Sequence, residues 1–454
     1  MKSQVYHFES VLASSGWIDD ALISVDENGT IEQIEIGPAN SESIRTGLVA
    51  LPGMVNVHSH AFQRAFAGLS EYRTASQDSF WTWRKLMYEF LLQLNPDDVF
   101  IVARQLYLEM LKAGYTWVGE FHYLHNDVSG NRFGNIGEMS SAIIRAAQES
   151  GIGLCMLPVL YQRGGFDNSP LEGAQRRFEL SNEQFNEVVQ FCRGHDGADY
   201  RCGIALHSLR AVEPLAGRTA IGTSTKNPVH IHVAEQTKEV DDCISAHGMR
   251  SVEFLFDSYE VDENWCLIHA THLSENEVGM IAKSGAVVGL CPTTEANLGD
   301  GFFSAQPYLE QNGRISIGSD SHCSVDLRDE LRTLEYGQRL SYRSRAMLGT
   351  ELSSVGRHLY DASFSGGSLA IGLPGEGIQV GARADLTLVD PQHPAVVGSR
   401  HDSLIDCVVF TNSGNPIRGT MVGGKLRDVG DDAFAESFAE SSAAFADLRR
   451  RMLG

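Results

Sequence analysis

The chain lacks any run of about 18 consecutive apolar residues, so no membrane-spanning helix is expected. It lacks a basic start followed by an apolar stretch. Met1 to Trp17 mixes polar and apolar residues, and no signal peptide is expected. Basic residues are in the minority, 36 Lys and Arg against 58 Asp and Glu, for a formal charge of −22. So acidic a surface repels phosphate backbones, which makes nucleic acid and anionic membranes poor partners. An anionic substrate would need locally placed arginines. Paired cysteines are missing as well. Cys155, Cys192, Cys202, Cys243, Cys266, Cys291, Cys323 and Cys407 include no Cys-x-x-Cys spacing, and most lie in or beside apolar runs. They are expected to be reduced core residues, which fits a cytoplasmic location.

What is present is a long chain of ordinary composition. With 454 residues, 43% hydrophobic and 21% charged, it is expected to fold into one large domain and one smaller one. Two pieces far apart in sequence share a strand-and-turn texture. Residues 22–25 and Ile31–Ile36 flank the turn Glu27-Asn28-Gly29, while 384–389 and 407–410 read as strands and Gly423-Gly424 as a turn. Residues 1–48 and 375–430 are therefore expected to pair into one small β-sandwich domain.

Between them, over 49–374, eight short apolar runs alternate with amphipathic stretches. The runs are 49–57, 116–121, 152–160, 202–206, 228–233, 266–270, 286–291 and 315–318. They are as apolar as strands buried on both faces. Segments 97–113, 183–192 and 274–284 read as helices. Eight strand–helix units predict a closed (β/α)8 TIM-type barrel with its active site at the C-terminal ends of the strands. Within 431–454, the stretch Asp432–Leu453 reads as an amphipathic C-terminal helix with a packing role.

Metal-ligating side chains fall at the ends of these runs. Run one leads to His58-Ser59-His60, run five carries His230 and His232 and continues to Glu235, run six holds His269, and run eight leads to Asp320. Barrel closure brings these ends to one mouth. Residues i and i+2 of a strand point the same way, so His58 and His60 can grip one ion together. His232 supplies a third imidazole and Asp320 a carboxylate. Such a set suits Zn2+, one per subunit, and also Fe2+ or Mn2+. The ion lowers the pKa of a water molecule from ~16 to about 7. A lone His-x-His is a weak pattern; the conjunction in strand order carries the reading. His122, His125, His272 and His322 are not read as ligands, and His230 is read as a buried structural residue.

These residues, with Leu51-Pro52-Gly53-Met54-Val55-Asn56-Val57 ahead of His58, Gly318-Ser319-Asp320-Ser321-His322, and Gly381-Ala382-Arg383-Ala384-Asp385-Leu386, resemble the amidohydrolase superfamily over nearly the whole chain. The resemblance implies metal ligands His58, His60, His232 and Asp320. Some members bridge two metals with a modified lysine on strand four. Here run four continues Ile204-Ala205-Leu206-His207-Ser208-Leu209-Arg210, without lysine, which matches the mononuclear branch that contains deaminases.

Narrower segments resemble one family within it, the formimidoylglutamate deiminases of histidine degradation. They are Phe62-Gln63-Arg64, Phe80-Trp81-Thr82-Trp83-Arg84, Glu120-Phe121-His122-Tyr123, His207-Ser208-Leu209-Arg210, Cys291 through Gly301, and Leu334 through Arg339. The resemblance implies hydrolysis of N-formimidoyl-L-glutamate to N-formyl-L-glutamate and ammonia. That substrate is a small dicarboxylate, which calls for guanidinium groups. Arg210 sits just past run four, and Arg84 sits in an aromatic segment after run one. Substrate-binding roles are implied for Gln63, Arg84, Tyr123, His207 and Arg210. In the expected mechanism Asp320 accepts the proton of water, His269 stabilises the tetrahedral oxygen, and Glu235 protonates the departing nitrogen. A homodimer is expected by analogy. Two other readings stay open: a mononuclear hydrolase deaminating a ring such as guanine or a triazine, and a non-catalytic barrel scaffold.

Overall fold

The computed structural model describes residues 3–72, 80–195, 197–222 and 227–453. Eight strands form a parallel sheet that curls back on itself. They are β1 (Met54–Ser59), β2 (Tyr115–His122), β3 (Gly153–Leu160), β4 (Ile204–Ser208), β5 (Val229–Val233), β6 (Trp265–His269), β7 (Val287–Leu290) and β8 (Arg314–Ile317). Their order in the sheet is their order in the chain. The segment just past β8 closes the barrel, where Asp320 N donates to His58 O at 3.0 Å and Asp320 bridges in parallel to Ser59. Strands β1, β2, β3, β5, β6 and β7 are buried along their whole length, as expected of a sheet covered on both faces. The covering helices start and stop on sequence signals. Pro96–Lys112 begins with a capping box between Asn95 and Asp98, and Glu275–Ser284 runs from a Ser274–Glu277 capping box to a left-handed Gly285. Among the described residues no helix is long and apolar enough to cross a membrane.

The two ends of the chain meet in a second, mixed sheet of eight strands. Gln4–Ala13, Gly16–Val25, Ile31–Ile36, Ser43–Arg45 and Val49–Pro52 come from one end, and Leu386–Val389, Ile417–Val422 and Lys425–Asp428 from the other. They form one continuous sheet with a core of its own, including Phe8, Val11, Ile23, Ala50, Leu388 and Met421. Gly423 and Gly424, both at positive φ, turn the last hairpin. The last helix, Asp432–Leu453, buries Phe434, Phe445 and Leu448 and packs on the helix Pro96–Lys112.

Three segments differ from their expected form. Run 49–57 is two strands: Val49–Pro52 pairs with Leu386–Val389 in the terminal sheet, and β1 begins the barrel. Gly53 joins them where a Cβ would lie 2.5 Å from Thr116 Oγ1 and 2.9 Å from the backbone of Asp385, so a side chain has no room at this crossing. Run 202–206 is also divided, because Cys202 ends a short strand, Tyr200–Cys202, that pairs with β3. The stretch 407–410 is helical, the end of Asp402–Phe410. Its buried face, Leu404, Ile405, Val408 and Val409, has helical spacing, and packing there overrides a β-branched composition.

Two histidines near the end of β2 bear on stability. His122 and His125 are buried with ring centroids 5.7 Å apart, and His125 Nε2 lies 3.0 Å from Val159 O. Burial pushes His125 down to about 4 and His122 well below the usual imidazole value. Both titrate near 6.5 when unfolded, so the unfolded chain binds more protons below that pH. Stability is then full above pH ~6.5 and falls on acidification toward pH ~4, by up to about 1.4 kcal/mol per pH unit for each group. Denaturant unfolding at stepped pH measures the slope, and a flat profile across that window contradicts this assignment.

Candidate metal and active site

The C-terminal ends of the barrel strands bring the polar residues together. His58 is on β1 and His60 just past it, His232 is on β5, His269 ends β6, and Asp320 follows β8. His58 Nε2 lies 3.1 Å from His60 Nε2 and 3.0 Å from His232 Nε2. Asp320 Oδ1 is 3.4 Å from Nε2 of both His58 and His60. The outer nitrogens of two rings face backbone carbonyls: His60 Nδ1 is 2.9 Å from Phe121 O, and His232 Nδ1 is 2.8 Å from His207 O. A carbonyl only accepts, so each Nδ1 carries the proton and each Nε2 turns its lone pair inward. Burial keeps the three imidazoles uncharged, with His60 pushed down to about 3 and His58 and His232 well below the usual value.

Lone pairs aimed at one another call for a cation between them. Ligand atoms of His58, His60 and His232 lie within 4.8 Å of one another, as do those of His58, His269 and Asp320. Three imidazoles and a carboxylate fit a divalent first-row ion.

Buried hydrogen bonds hold these ligands. Glu120 accepts from Ser59 Oγ at 2.6 Å, Ala61 N at 2.8 Å and Tyr107 Oη at 3.1 Å, which fastens the His58–His60 turn to β2. Asn56 binds Ser319 through both side-chain atoms, Oδ1 to Ser319 N at 3.1 Å and Nδ2 to Ser319 Oγ at 2.6 Å. Gly318 leaves no slack: a Cβ there would lie 2.8 Å from both N and Cβ of His58. Gly318→Ala should therefore spread Asp320 from β1 and weaken metal binding about 10- to 100-fold. Competition against a chromophoric chelator measures this, and parent-like affinity would contradict the packing argument.

Backbone strain gathers at the same mouth. Ala234, His269, Ala270 and Asp320 all sit in the left-handed region, with φ between +44° and +67°. His269 Nδ1 lies 3.3 Å from Glu295 Oε1, and its Nε2 lies 3.9 Å from Asp320 Oδ2. Burial alone would depress His269, but the charge of Glu235, the bond to Glu295 and the charge of Asp320 raise it to about 10. Burial, joined by the carboxylates of Glu235 and Glu295 and opposed by His269, pushes the Asp320 carboxyl up to about 7.

Above this floor opens a cleft. Gln63, Arg84, Tyr123, His207, Arg210 and Glu235 line it together with His60, His232, His269 and Asp320, while His58 is fully buried beneath. Every residue singled out in the sequence thus reaches one mouth. Gln63 Nε2 donates to Tyr123 Oη at 2.9 Å, and Arg84 Nη2 donates to Tyr161 Oη at 3.0 Å. The guanidiniums of Arg84 and Arg210 lie 5.7 and 5.5 Å from the Trp81 ring. Among the described residues neither guanidinium is paired with an acidic side chain. Arg210 Nε and Gln63 Oε1 are buried without a hydrogen-bond partner.

Sequence reasoning missed several contributors. Tyr88, Tyr161 and Phe178 form an aromatic wall of the cleft, and Glu239 lies in it too. Tyr161 directly follows β3, so the rule that located the other strand-end residues also points to it. Glu239 carries no such signal.

Residues 49–427 match the model of the Amidohydrolase family. The chain is similar to the formimidoylglutamate deiminase of Pseudomonas aeruginosa, at 44% identity over 95% of this chain and 97% of that one. It is also similar to the crystal structure of an amidohydrolase from Brucella melitensis, with TM-score 0.91 and 41% identity over 99% and 100% of the two chains. A more distant relative is a 5-methylthioadenosine/S-adenosylhomocysteine deaminase of Natronomonas pharaonis, 26% identical over 84% of this chain and 81% of that one. By sequence and by architecture, this chain belongs to the amidohydrolase family.

Proposed function

We propose that this chain hydrolyses N-formimidoyl-L-glutamate to N-formyl-L-glutamate and ammonia, using one zinc ion held by His58, His60, His232 and Asp320. The observation that carries the proposal is the pair Arg84 and Arg210, which line the cleft beside the ligand cluster without acidic partners. Two such guanidiniums complement a substrate with two carboxylates. Similarity to the Pseudomonas deiminase supports the same substrate. A ring-deaminating enzyme has no use for two carboxylate clamps, and a scaffold has no use for converging lone pairs.

When bound, the ion supplies Lewis acidity that brings the pKa of a water molecule to about 7. Asp320 Oδ2, on the side facing His269, takes up the proton of the attacking water. His269 donates to the oxygen that adds to the formimidoyl carbon. The Glu235 carboxylate takes the second proton of the added water and hands it to the nitrogen that leaves as ammonia. One C–O bond forms and one C–N bond breaks. Arg84 and Arg210 hold the carboxylates, and Gln63, Tyr123 and His207 add hydrogen bonds.

Ammonia release from N-formimidoyl-L-glutamate, beside guanine and cytosine as controls, tests the proposal. Formation of formamide and glutamate instead would reverse the assignment of the leaving nitrogen. Arg210→Met should raise KM about 100-fold, roughly 3 kcal/mol, with a smaller effect on kcat. The same proposal includes a cytoplasmic place in histidine degradation, suited to eight cysteines that form no disulfide. It also includes a homodimer, for which the exposed Leu340 and Leu352 offer apolar surface. Sedimentation measures that association.

A further inference from the structure

Resting on this reaction, the proton delivered by Glu235 requires that its carboxyl be aimed, and the backbone that carries it is strained. β5 ends at Val233, and Ala234 follows with φ +52°, a conformation that L-residues rarely adopt. The helix Thr237–His247 starts two residues after Glu235, with Gln236 as its N-cap. In an ordinary capping box the third helical residue reaches back to the N–H of the N-cap. Glu239 is that third residue, yet it reaches further. Its Oε1 accepts from Ala234 N at 2.9 Å and its Oε2 from Glu235 N at 3.3 Å. Both oxygens are thus spent on the turn rather than on the helix end. Glu239 is only 3% exposed and lies in the wall of the cleft. Its own N–H is tied into the helix start by Gln236 O at 3.0 Å, so the clamp has a rigid base. Burial raises the Glu239 carboxyl above its ordinary value, and the field of Arg210 and the two backbone N–H bonds oppose that rise.

We propose that Glu239 is a positioning residue: its carboxylate locks the left-handed turn at Ala234 and thereby aims Glu235 at the departing nitrogen. Glutamine at this place offers one acceptor and turns an NH2 toward the other backbone N–H, which breaks one arm of the clamp. Alanine breaks both.

The test uses the metal-loaded full chain. Glu239→Gln should lower kcat about 10- to 100-fold and Glu239→Ala more, with KM within about threefold of the parent and metal content unchanged. Adding Ala234→Gly to Glu239→Gln should restore part of kcat, because glycine adopts the turn without a clamp. A crystal structure of Glu239→Ala should show the Glu235 carboxyl displaced from its parent position. An unchanged Glu235 in that structure, an effect on KM rather than kcat, or no rescue by glycine overturns the proposal. If the parent itself releases no ammonia from N-formimidoyl-L-glutamate, the substrate assignment falls, and the position of Glu235 in the crystal structure still decides the clamp.

Discussion

Glu235→Gln should bind its metal ion at parent stoichiometry and turn over about 100- to 10,000-fold more slowly. The two side chains have nearly the same shape, and Glu235 is 8% exposed, so the packing of the cleft survives the exchange. Glu235 is absent from the group of converging ligand atoms, so no ligand is lost. What disappears is the carboxylate that carries a proton to the departing nitrogen and makes it a viable leaving group. Substrate affinity should change little, because the arginines proposed to hold the carboxylates are untouched. His269 also loses a charge that helps hold its imidazole protonated, which adds to the kinetic loss without weakening binding. Metal analysis beside ammonia release separates the two effects. Full turnover with metal bound would remove Glu235 from the mechanism.

Stripping the ion should have a still larger kinetic effect, abolishing ammonia release until a divalent ion is returned. Nε2 of His58 stands 3.0 and 3.1 Å from two other acceptor nitrogens, with Asp320 Oδ1 3.4 Å away. Without a cation a single proton on His58 Nε2 can serve only one of these acceptors at a time, and the remaining lone pairs and the carboxylate repel. The folded chain should therefore also lose stability. An ion present at a thousand times its Kd contributes about 4 kcal/mol, so the thermal midpoint should fall by several degrees on chelation and recover on reloading. Restoration by Zn2+, set against Fe2+ and Mn2+, identifies the metal that serves best. A preparation that works at full speed after exhaustive chelation would end the metal-based mechanism.

The barrel was legible because strands buried on both faces leave nearly unbroken apolar runs, and 152–160 or 286–291 can hardly be read otherwise. The metal cluster was legible for a related reason. A strand end confines a functional side chain to one or two positions, and His269 and Asp320 occupy them. Junctions were harder. Gly53 passes the chain from one sheet to another with no loop, so nothing in the apolar run 49–57 marks the division. Val408 and Val409 favour a strand by composition and form a helix because their buried neighbours Leu404 and Ile405 fall on one helical face. Glu239 was invisible because its role depends on the conformation of Ala234, which a sequence does not display. The aromatic wall of Tyr88, Tyr161 and Phe178 comes from three separate segments, and only tertiary packing assembles it.

The crossing at Gly53 also has a kinetic consequence. Val49–Pro52, which leads straight into the ligand-bearing β1, finds its antiparallel partner in Leu386–Val389, far later in the chain. A ribosome-bound chain can pair the first ligand strand with β2 early, but the strand that leads into it lacks this antiparallel partner until nearly all of the chain has been synthesised. Asp320, which closes the barrel against His58, also arrives late. Pairings of such long range form slowly. Metal capture should accordingly be one of the last events of folding, and a nascent chain halted before residue 386 should hold no ion.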